Sequence, residues 1–367
     1  MSDRARDILI LSRIPGVGSA RLRGLIARFG TAPAISSAPF QSLCAVEGIE
    51  EKTARSIRAF FRSPSADDAA RFADRQAAAA ARTGAFPLTL WDDAYPPLLK
   101  NIYDPPPLLW LRGTLECADA GGVALVGTRR PTAYGLLMAE RLARALASCG
   151  LTVVSGLARG IDAAGHAACL GAGGRTVAVI GSGLDVMYPA EHRTLADRIS
   201  ARGAVISELP FGSTPEAVNF PRRNRIVSGM SLATVVVETA PAGGAMITAA
   251  MALEEGREVF AVPSAVSATR GSGTNRLIRE GKAKLTECVE DILAEIAPRL
   301  VPVAAQGREP LTLFEQSMLD ALTEEPLHVD VLASRARLAP ADALARLLAL
   351  EFKGAVRQMP GKRFVRA

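Results

Sequence analysis

The stretch ALVGTRRPTAYG, Ala124 to Gly135, is an apolar run closed by a glycine, with a proline that opens a helical pattern behind it. A glycine between a strand and a helix is where a dinucleotide-binding sheet holds a pyrophosphate. That fingerprint, GxGxxG, needs a second glycine two residues on, and position 129 is arginine instead. The turn keeps the position of a cofactor loop but not its spacing, and no cofactor is expected. Pro131 suits a first helical turn, where its missing N–H is not needed.

Working outward, VALVG is followed by LTVVSG, TVAVIGSG, AVISELP, LATVVVE and EVFAVPS, each trailed by turn residues and a helical pattern. Near-continuous Val, Ile and Ala runs imply strands covered on both faces, hence an α/β, Rossmann-like doubly wound parallel sheet over 121–298. A ligand site then lies beyond the carboxyl ends of the strands. Those ends carry Gly127, Thr128, Arg129 and Arg130, then Ser155, Gly156, Arg159 and Gly160, then Gly181 and Gly183, then Phe220, Arg222, Arg223, Asn224 and Arg225. Amides and guanidinium groups along one rim make a row of phosphate sites, and Phe220 offers a ring for a base.

The acids at strand ends are Asp162, Asp185, Glu208 and Glu238, and none forms a recognisable acid/base pair. Each has a local use: Asp162 as cap of a helix beginning near Ala163, with His166 one turn on and bonded to it; Glu238 as acceptor for loop amides; Glu208 or Glu238 as partner of Arg225. No GxSxG, GxxxxGK[ST] or HExxH occurs, so an enzyme is not expected.

The flanks differ in texture. Over 1–64, LSRIPGVGSARLRGLIARFG and LCAVEGIEEKTARSIRAFF each join a Gly-containing turn to an amphipathic helix. They read either as a helix-hairpin-helix (SAM-like) pair, whose turn amides can hold phosphate, or as a helical packing module. Residues 65–120 are a connector packing on the core: an Ala-rich helix around 66–81, then a segment whose prolines at 96, 97 and 105–107 exclude regular helix, with Trp91, Tyr95, Tyr103 and Trp110 as packing anchors. After a linker at 299–311, residues 312–367 read as three helices and a hairpin turning at Pro360-Gly361, a winged helix. Lys362 and Arg363 are possible wing contacts to nucleic acid, but from Arg308 on there are nine basic and eight acidic residues, so a protein-binding role is equally open.

Composition sets the frame. Of 367 residues 49% are apolar and 22% charged, enough to bury two or three cores, and the net charge of +6 favours a polyanionic partner. No run of 18 apolar residues occurs, and Asp3, Arg4, Arg6, Asp7 and Arg13 break any signal-peptide pattern; a cytoplasmic protein without a membrane partner is expected. Cys44, Cys117, Cys149, Cys169 and Cys288 never form CxxC, and His166, His192 and His328 have no ligand spacing, so no metal site is expected.

Five motifs in order, VGTRRPTAYG, SGLARGIDAAGHAACL, TVAVIGSGLDVMYP, ISELPFGSTPEAVNFPRRNRIVSGMS and VETAPAGGAMITAAMALEEGREVFAVPS, resemble the DNA-processing protein A (DprA, or Smf) family. The resemblance spans nearly the whole chain. It implies an extended Rossmann fold that forms a homodimer, uses a basic pocket in place of a nucleotide cofactor, protects incoming single-stranded DNA and loads the RecA recombinase in natural transformation. Carried over, Arg129 is the phosphate-binding arginine, Ser155, Gly156, Arg159 and Gly160 shape the adjacent loop, and Phe220, Arg222, Arg223 and Asn224 complete the pocket. Three positions depart from the family pattern: His192 for a usual Asn, Ser264 for a usual Gly, and Gly243-Gly244 for Ser-Gly. The helix-periodic segment 245–255 and EVFAVPS are candidates for a dimer face, though core packing accounts for them equally.

The rival reading is a LOG-like nucleotide phosphoribohydrolase, whose PGGxGTxxE motif falls at Ala242 to Met251. There an extra residue precedes Thr248, and Met251 stands where the carboxylate belongs. A pure adaptor leaves arginines at three strand ends unexplained.

Overall fold

A nine-stranded sheet organises the protein, here a computed structural model. Its strands are β1 (Ala85–Thr89), β2 (Leu108–Gly113), β3 (Val123–Val126), β4 (Val153–Ser155), β5 (Thr176–Val179), β6 (Ala204–Ser207), β7 (Ala233–Val236), β8 (Glu258–Ala261) and β9 (Lys284–Leu285), in the order β1-β2-β6-β5-β4-β3-β7-β8-β9. From β6 to β9 all pairs are parallel, while β2 joins β6, and β1 joins β2, antiparallel. Every residue of β3 to β7 is buried, as strands covered on both faces require.

The structure describes residues 1–297 without a break and, beyond them, 322, 327–336, 338, 343, 347, 350, 356–359 and 363–366. It separates into two units, Met1–Arg299 and Leu300–Ala367.

The first unit opens with α1 (Asp3–Leu11), α2 (Ser19–Phe29), α3 (Ala32–Ser37), α4 (Phe40–Cys44), α5 (Glu51–Phe61) and α6 (Ser65–Thr83). Gly16 and Gly48 sit in the two expected turns with φ of 82° and 76°, backbone that glycine adopts without strain. Arg21 of α2 ties the turns together, donating to the Gly16 carbonyl at 2.6 Å and the Gly48 carbonyl at 2.7 Å. The pair is thus one folded module.

The connector departs from the sequence reading. Beyond packing on the core, it extends the sheet by two antiparallel strands, β1 at the edge and β2 between it and β6, and a short helix, α7 (Pro97–Lys100), begins where prolines were read as excluding one. Pro97 occupies a first-turn position that needs no N–H, so ring and helix are compatible there. Around the sheet, α8 (Ala133–Ser148), α9 (Ile161–Gly171) and α10 (Arg193–Arg202) pack in one layer; α7, α11 (Asn219–Gly229) and α12 (Gly244–Glu254) pack in the other. The short α13 (Ser272–Arg279) and α14 (Val289–Ile296) flank β8.

In the second unit β10 (Leu327–His328), β12 (Arg363–Arg366) and β11 (Val356–Met359) form a three-stranded antiparallel sheet beside α15 (Val329–Ala336). Ala343, Leu347 and Leu350, buried at one-face helical spacing, line its core with Leu332 and Phe364. The β11–β12 hairpin is the expected one and β10 was not expected. Most of the helix read at LFEQSMLDALTEE lies outside the described residues, and so does Lys362; of Arg363 only the backbone, in β12, is described.

Candidate nucleic-acid interface

The strand order reverses between β3 and β7, so the loops that follow them diverge and leave a cleft at their carboxyl ends. The cleft encloses about 790 Å³. One wall is built from Gly127, Thr128, Arg129 and Arg130 after β3 and from Gly156 after β4; the other comes from Thr239 after β7 and the first turn of α12. Phe220, Arg223 and Asn224 of α11 close its end.

Gly127 serves this geometry by absence of bulk. A Cβ there would meet Ile161 of α9 and the Glu238 carbonyl, so the residue lets helix and strand close up. Gly160, with φ of 80°, likewise lets the β4 loop lie on the Thr128 carbonyl. At the start of α8 the Glu238 carboxylate accepts from the Thr132 N–H and the Thr132 hydroxyl, both at 2.8 Å, and a Cβ on Gly135 would strike it. The anion position of this helix is therefore taken by the protein's own carboxylate. A pyrophosphate placed there would meet like charge.

The Arg129 guanidinium lies 5.2 Å from the Phe220 ring centroid, and Tyr188 lies 5.8 Å from it on a tilted plane. Gly181 is buried beneath Phe220, where a Cβ would press the ring. Arg129 and Arg130 are exposed, and the Arg130 carbonyl accepts from Arg270 at 3.3 Å. Arg159, also exposed, lines an adjoining recess and is ion-paired with Glu191 at 2.5 Å.

Behind this rim several expected site residues do internal work. Ser155 is buried and its hydroxyl donates to the Leu125 carbonyl at 2.6 Å, tying β4 to β3. Gly183 packs against the 210–212 backbone and donates to the Ser213 carbonyl. Arg223 is buried, donates to the Val179 carbonyl and lies over Gly156; burial brings it down to about 10, against the pull of Asp162. Arg222 faces away from the cleft, toward a second cavity against the N-terminal module. Arg225 does not face the cleft either: it is ion-paired with Glu208 and donates to the Asp104 carbonyl at 2.7 Å.

Two expectations about α9 need correction. Asp162 lies within α9, which begins at Ile161, and accepts from the N–H groups of Gly156 and Ala158 at 3.2 and 3.3 Å, so it shapes the preceding loop and does not cap the helix. Burial raises its carboxyl above the ordinary range, partly offset by Arg223. His166 bonds Thr176, at 2.6 Å, and not Asp162; burial lowers it to about 3, so it stays neutral. The turn held by Asp162 contains Leu157 at φ 56°, a costly conformation for leucine among the described residues. The His192 ring donates to the Leu157 carbonyl at 2.8 Å, a brace on that turn.

The first turn of α12 was missed. Its N-cap, Gly243, has no side-chain cap, and Gly243, Gly244, Ala245 and Thr248 border the cleft, so a second helix N-terminus opens onto it without a carboxylate. The signal is present in PAGGA, small residues behind the fifth parallel strand, which the sequence reading takes as a degraded enzymatic motif and a departure from the family's Ser-Gly, not as a helix end open to a ligand. Gly243 packs against Thr239, leaving no room for a side chain, and Ser264 is held by Asn275 through bonds of 2.9 and 2.8 Å.

Comparison with known proteins follows the same outline. A family model described as DNA recombination-mediator protein A matches residues 87–297, a DprA winged helix domain 302–362 and a helix-hairpin-helix motif 8–69. Protein Smf of Synechocystis is 38% identical over 317 residues, 76% of this chain and 79% of that one, and the DNA processing protein DprA of Bacillus subtilis is 43% identical over 208 residues, 56% and 70% of the two chains. Among solved structures, DNA processing protein A of Streptococcus pneumoniae superposes with a TM-score of 0.68 at 32% identity, covering 80% of this chain and 99% of that one. The Helicobacter pylori protein, whose structure concerns its single-stranded DNA binding mode, superposes with a TM-score of 0.53 at 27% identity, covering 59% and 96%.

Proposed function

The chain belongs to the DNA recombination-mediator protein A family, and from that premise we propose that it binds single-stranded DNA in the switch-point cleft, protects it, and loads RecA recombinase on it during transformation. The observation that carries the reading is the pairing of Arg129 with Phe220 at the mouth of the cleft, opposite the uncapped end of α12. A guanidinium and helix amides hold phosphates without regard to sequence, and an aromatic ring accepts any base. The single-stranded DNA binding mode of the Helicobacter relative supports the same ligand class.

A binding role fits the acids better than catalysis does. Glu238 is committed to Thr132 and Asp162 to loop amides, so neither is poised to move a proton to a ligand. Hydrolase chemistry of the LOG type also lacks its carboxylate, since Met251 of α12 stands in its place. We further read the protein as a cytoplasmic homodimer divided as 1–64, 65–120, 121–298, a 299–311 linker and 312–367; no described helix is long and apolar enough to cross a membrane.

Filter binding of unrelated single strands across a salt series tests this. Arg129→Ala weakens binding to all of them, roughly 10- to 100-fold for one charge-assisted contact, and lowers the salt slope by about 0.7. Unchanged affinity and slope would rule the cleft out.

A further inference from the structure

Residues 208–218 join β6 to α11 with neither helix nor strand, and they lead straight into Phe220. Pro215 and Ala217 of this segment line the cleft themselves. A segment without ladder bonds keeps its place only through the contacts made to it from elsewhere. The sheet supplies some of them: Asp185 accepts from the Gly212 N–H at 2.8 Å, and the Gly183 N–H donates to the Ser213 carbonyl at 2.9 Å.

Others come from the helices that precede the sheet. The long α6 buries Ala69, Ala73, Gln76 and Ala80, a stripe at helical spacing with one amide in it. That amide meets the backbone of Phe211 at both groups: the Phe211 N–H donates to Oε1 of Gln76 at 2.7 Å, and Nε2 donates to the Phe211 carbonyl at 3.3 Å. An apolar side chain would fill this buried position without giving up hydration, so what the amide adds is these two bonds. Phe211 in turn packs edge-on against Trp110 of β2, their ring centroids 4.9 Å apart. Past Phe220, Arg225 donates to the Asp104 carbonyl at 2.7 Å. Arg23 of α2 holds the Asp104 carboxylate at 2.6 Å and the Pro105 carbonyl at 2.8 Å. Phe220 thus lies between two anchors, at 211 and 225, each reaching back to an N-terminal helix.

We propose that Gln76 and Asp104 are positioning residues for base binding. By fixing the two ends of the 211–225 stretch they hold the Phe220 ring over Gly181 and beside Arg129, so that it meets a base already in place. Neither residue lines the cleft. The N-terminal helices thereby set the base share of the affinity and leave the phosphate share to Arg129 and α12. This rests on the cleft being the single-stranded DNA site.

The test is the affinity of the full chain for two strands of equal length, an oligothymidylate and one of abasic deoxyribose phosphates, which keeps the charge and removes the bases. Gln76→Met preserves the side-chain volume and removes both bonds. Asp104→Ala removes a negative charge, so electrostatics alone would tighten phosphate binding. Each should weaken oligothymidylate binding about 3- to 10-fold, part of the roughly 5- to 150-fold that one stacked base supplies, and weaken abasic binding by no more than about 2-fold. In a Phe220→Ala background neither should weaken binding further, since both act through that ring. Equal loss on the two strands, or a loss that persists without Phe220, overturns the positioning role, and so does unchanged oligothymidylate binding in either folded variant. If one variant does not fold, the other carries the same test. Should Phe220→Ala itself bind oligothymidylate as wild type does, the cleft reading has failed, a result distinct from normal binding by Gln76→Met beside a weakened Phe220→Ala.

Discussion

Two helix N-termini meet at the switch point, and they are built in opposite ways. That of α8 follows the glycine, arginine and proline turn that looks like a cofactor loop, yet Glu238 and Thr132 close it from within. That of α12 follows an unremarkable run of small residues and stays uncapped toward the cleft. The contrast shows that a loop in the place of an anion site is one only if its amides remain unspent. The donors left open at the cleft are the side chain of Arg129, in front of the first helix, and the start of α12 across from it.

The strongest way to break this contrast is to remove the internal carboxylate. Glu238→Ala leaves the Thr132 N–H and hydroxyl without their acceptor, and should cost about 2–4 kcal/mol in urea unfolding; a loss below about 0.5 kcal/mol means the α8 end is not held by Glu238. Next in size, Gly244→Asp copies onto α12 the closure that α8 already has. A Cβ at Gly244 meets nothing within 4 Å. The variant should keep or slightly gain stability while binding single strands about 5- to 30-fold more weakly; undiminished binding would mean that α12 holds no phosphate.

A smaller effect separates the rim from the layer behind it. Rim arginines respond to salt, whereas His166 responds to acid. Burial holds His166 at about 3 in the folded chain, below its unfolded value, so the unfolded state binds the extra proton first. Stability contributed above the unfolded value is lost as pH falls, by up to about 1.4 kcal/mol per pH unit below roughly 6. His166→Gln should flatten that slope in unfolding curves taken between pH 6 and 5; an unchanged slope would give the acid sensitivity another source.

Much of this was legible in the residues. Six apolar runs gave six of the seven parallel strands, all but the two-residue β9, the Gly–Arg endings gave the rim, and the two glycine turns gave the N-terminal module, because strand burial and positive φ both leave strong marks on residue type. Strands β1 and β2 were not, since Pro87 and the 105–107 prolines argue against regular structure, although Pro87 lies in the edge strand β1, which tolerates it, and the 105–107 prolines end before β2 begins. Arg225 was legible as a partner of Glu208 or Glu238 and does pair with Glu208, but Arg222 and Arg223 could not be told apart by sequence. Packing alone turns Arg222 to a second cavity and buries Arg223 under the β4 loop.

By itself, then, the sequence determined the doubly wound sheet and the charge at its rim, since periodicity, glycine and arginine are properties of the residues. Only the tertiary structure decided which amides and guanidinium groups remain available to a ligand. A donor counts as a binding group only when no acceptor of the protein has taken it, and the acceptors Glu238, Asp162 and Glu208 reach their donors from loops distant in sequence or turned back within a helix.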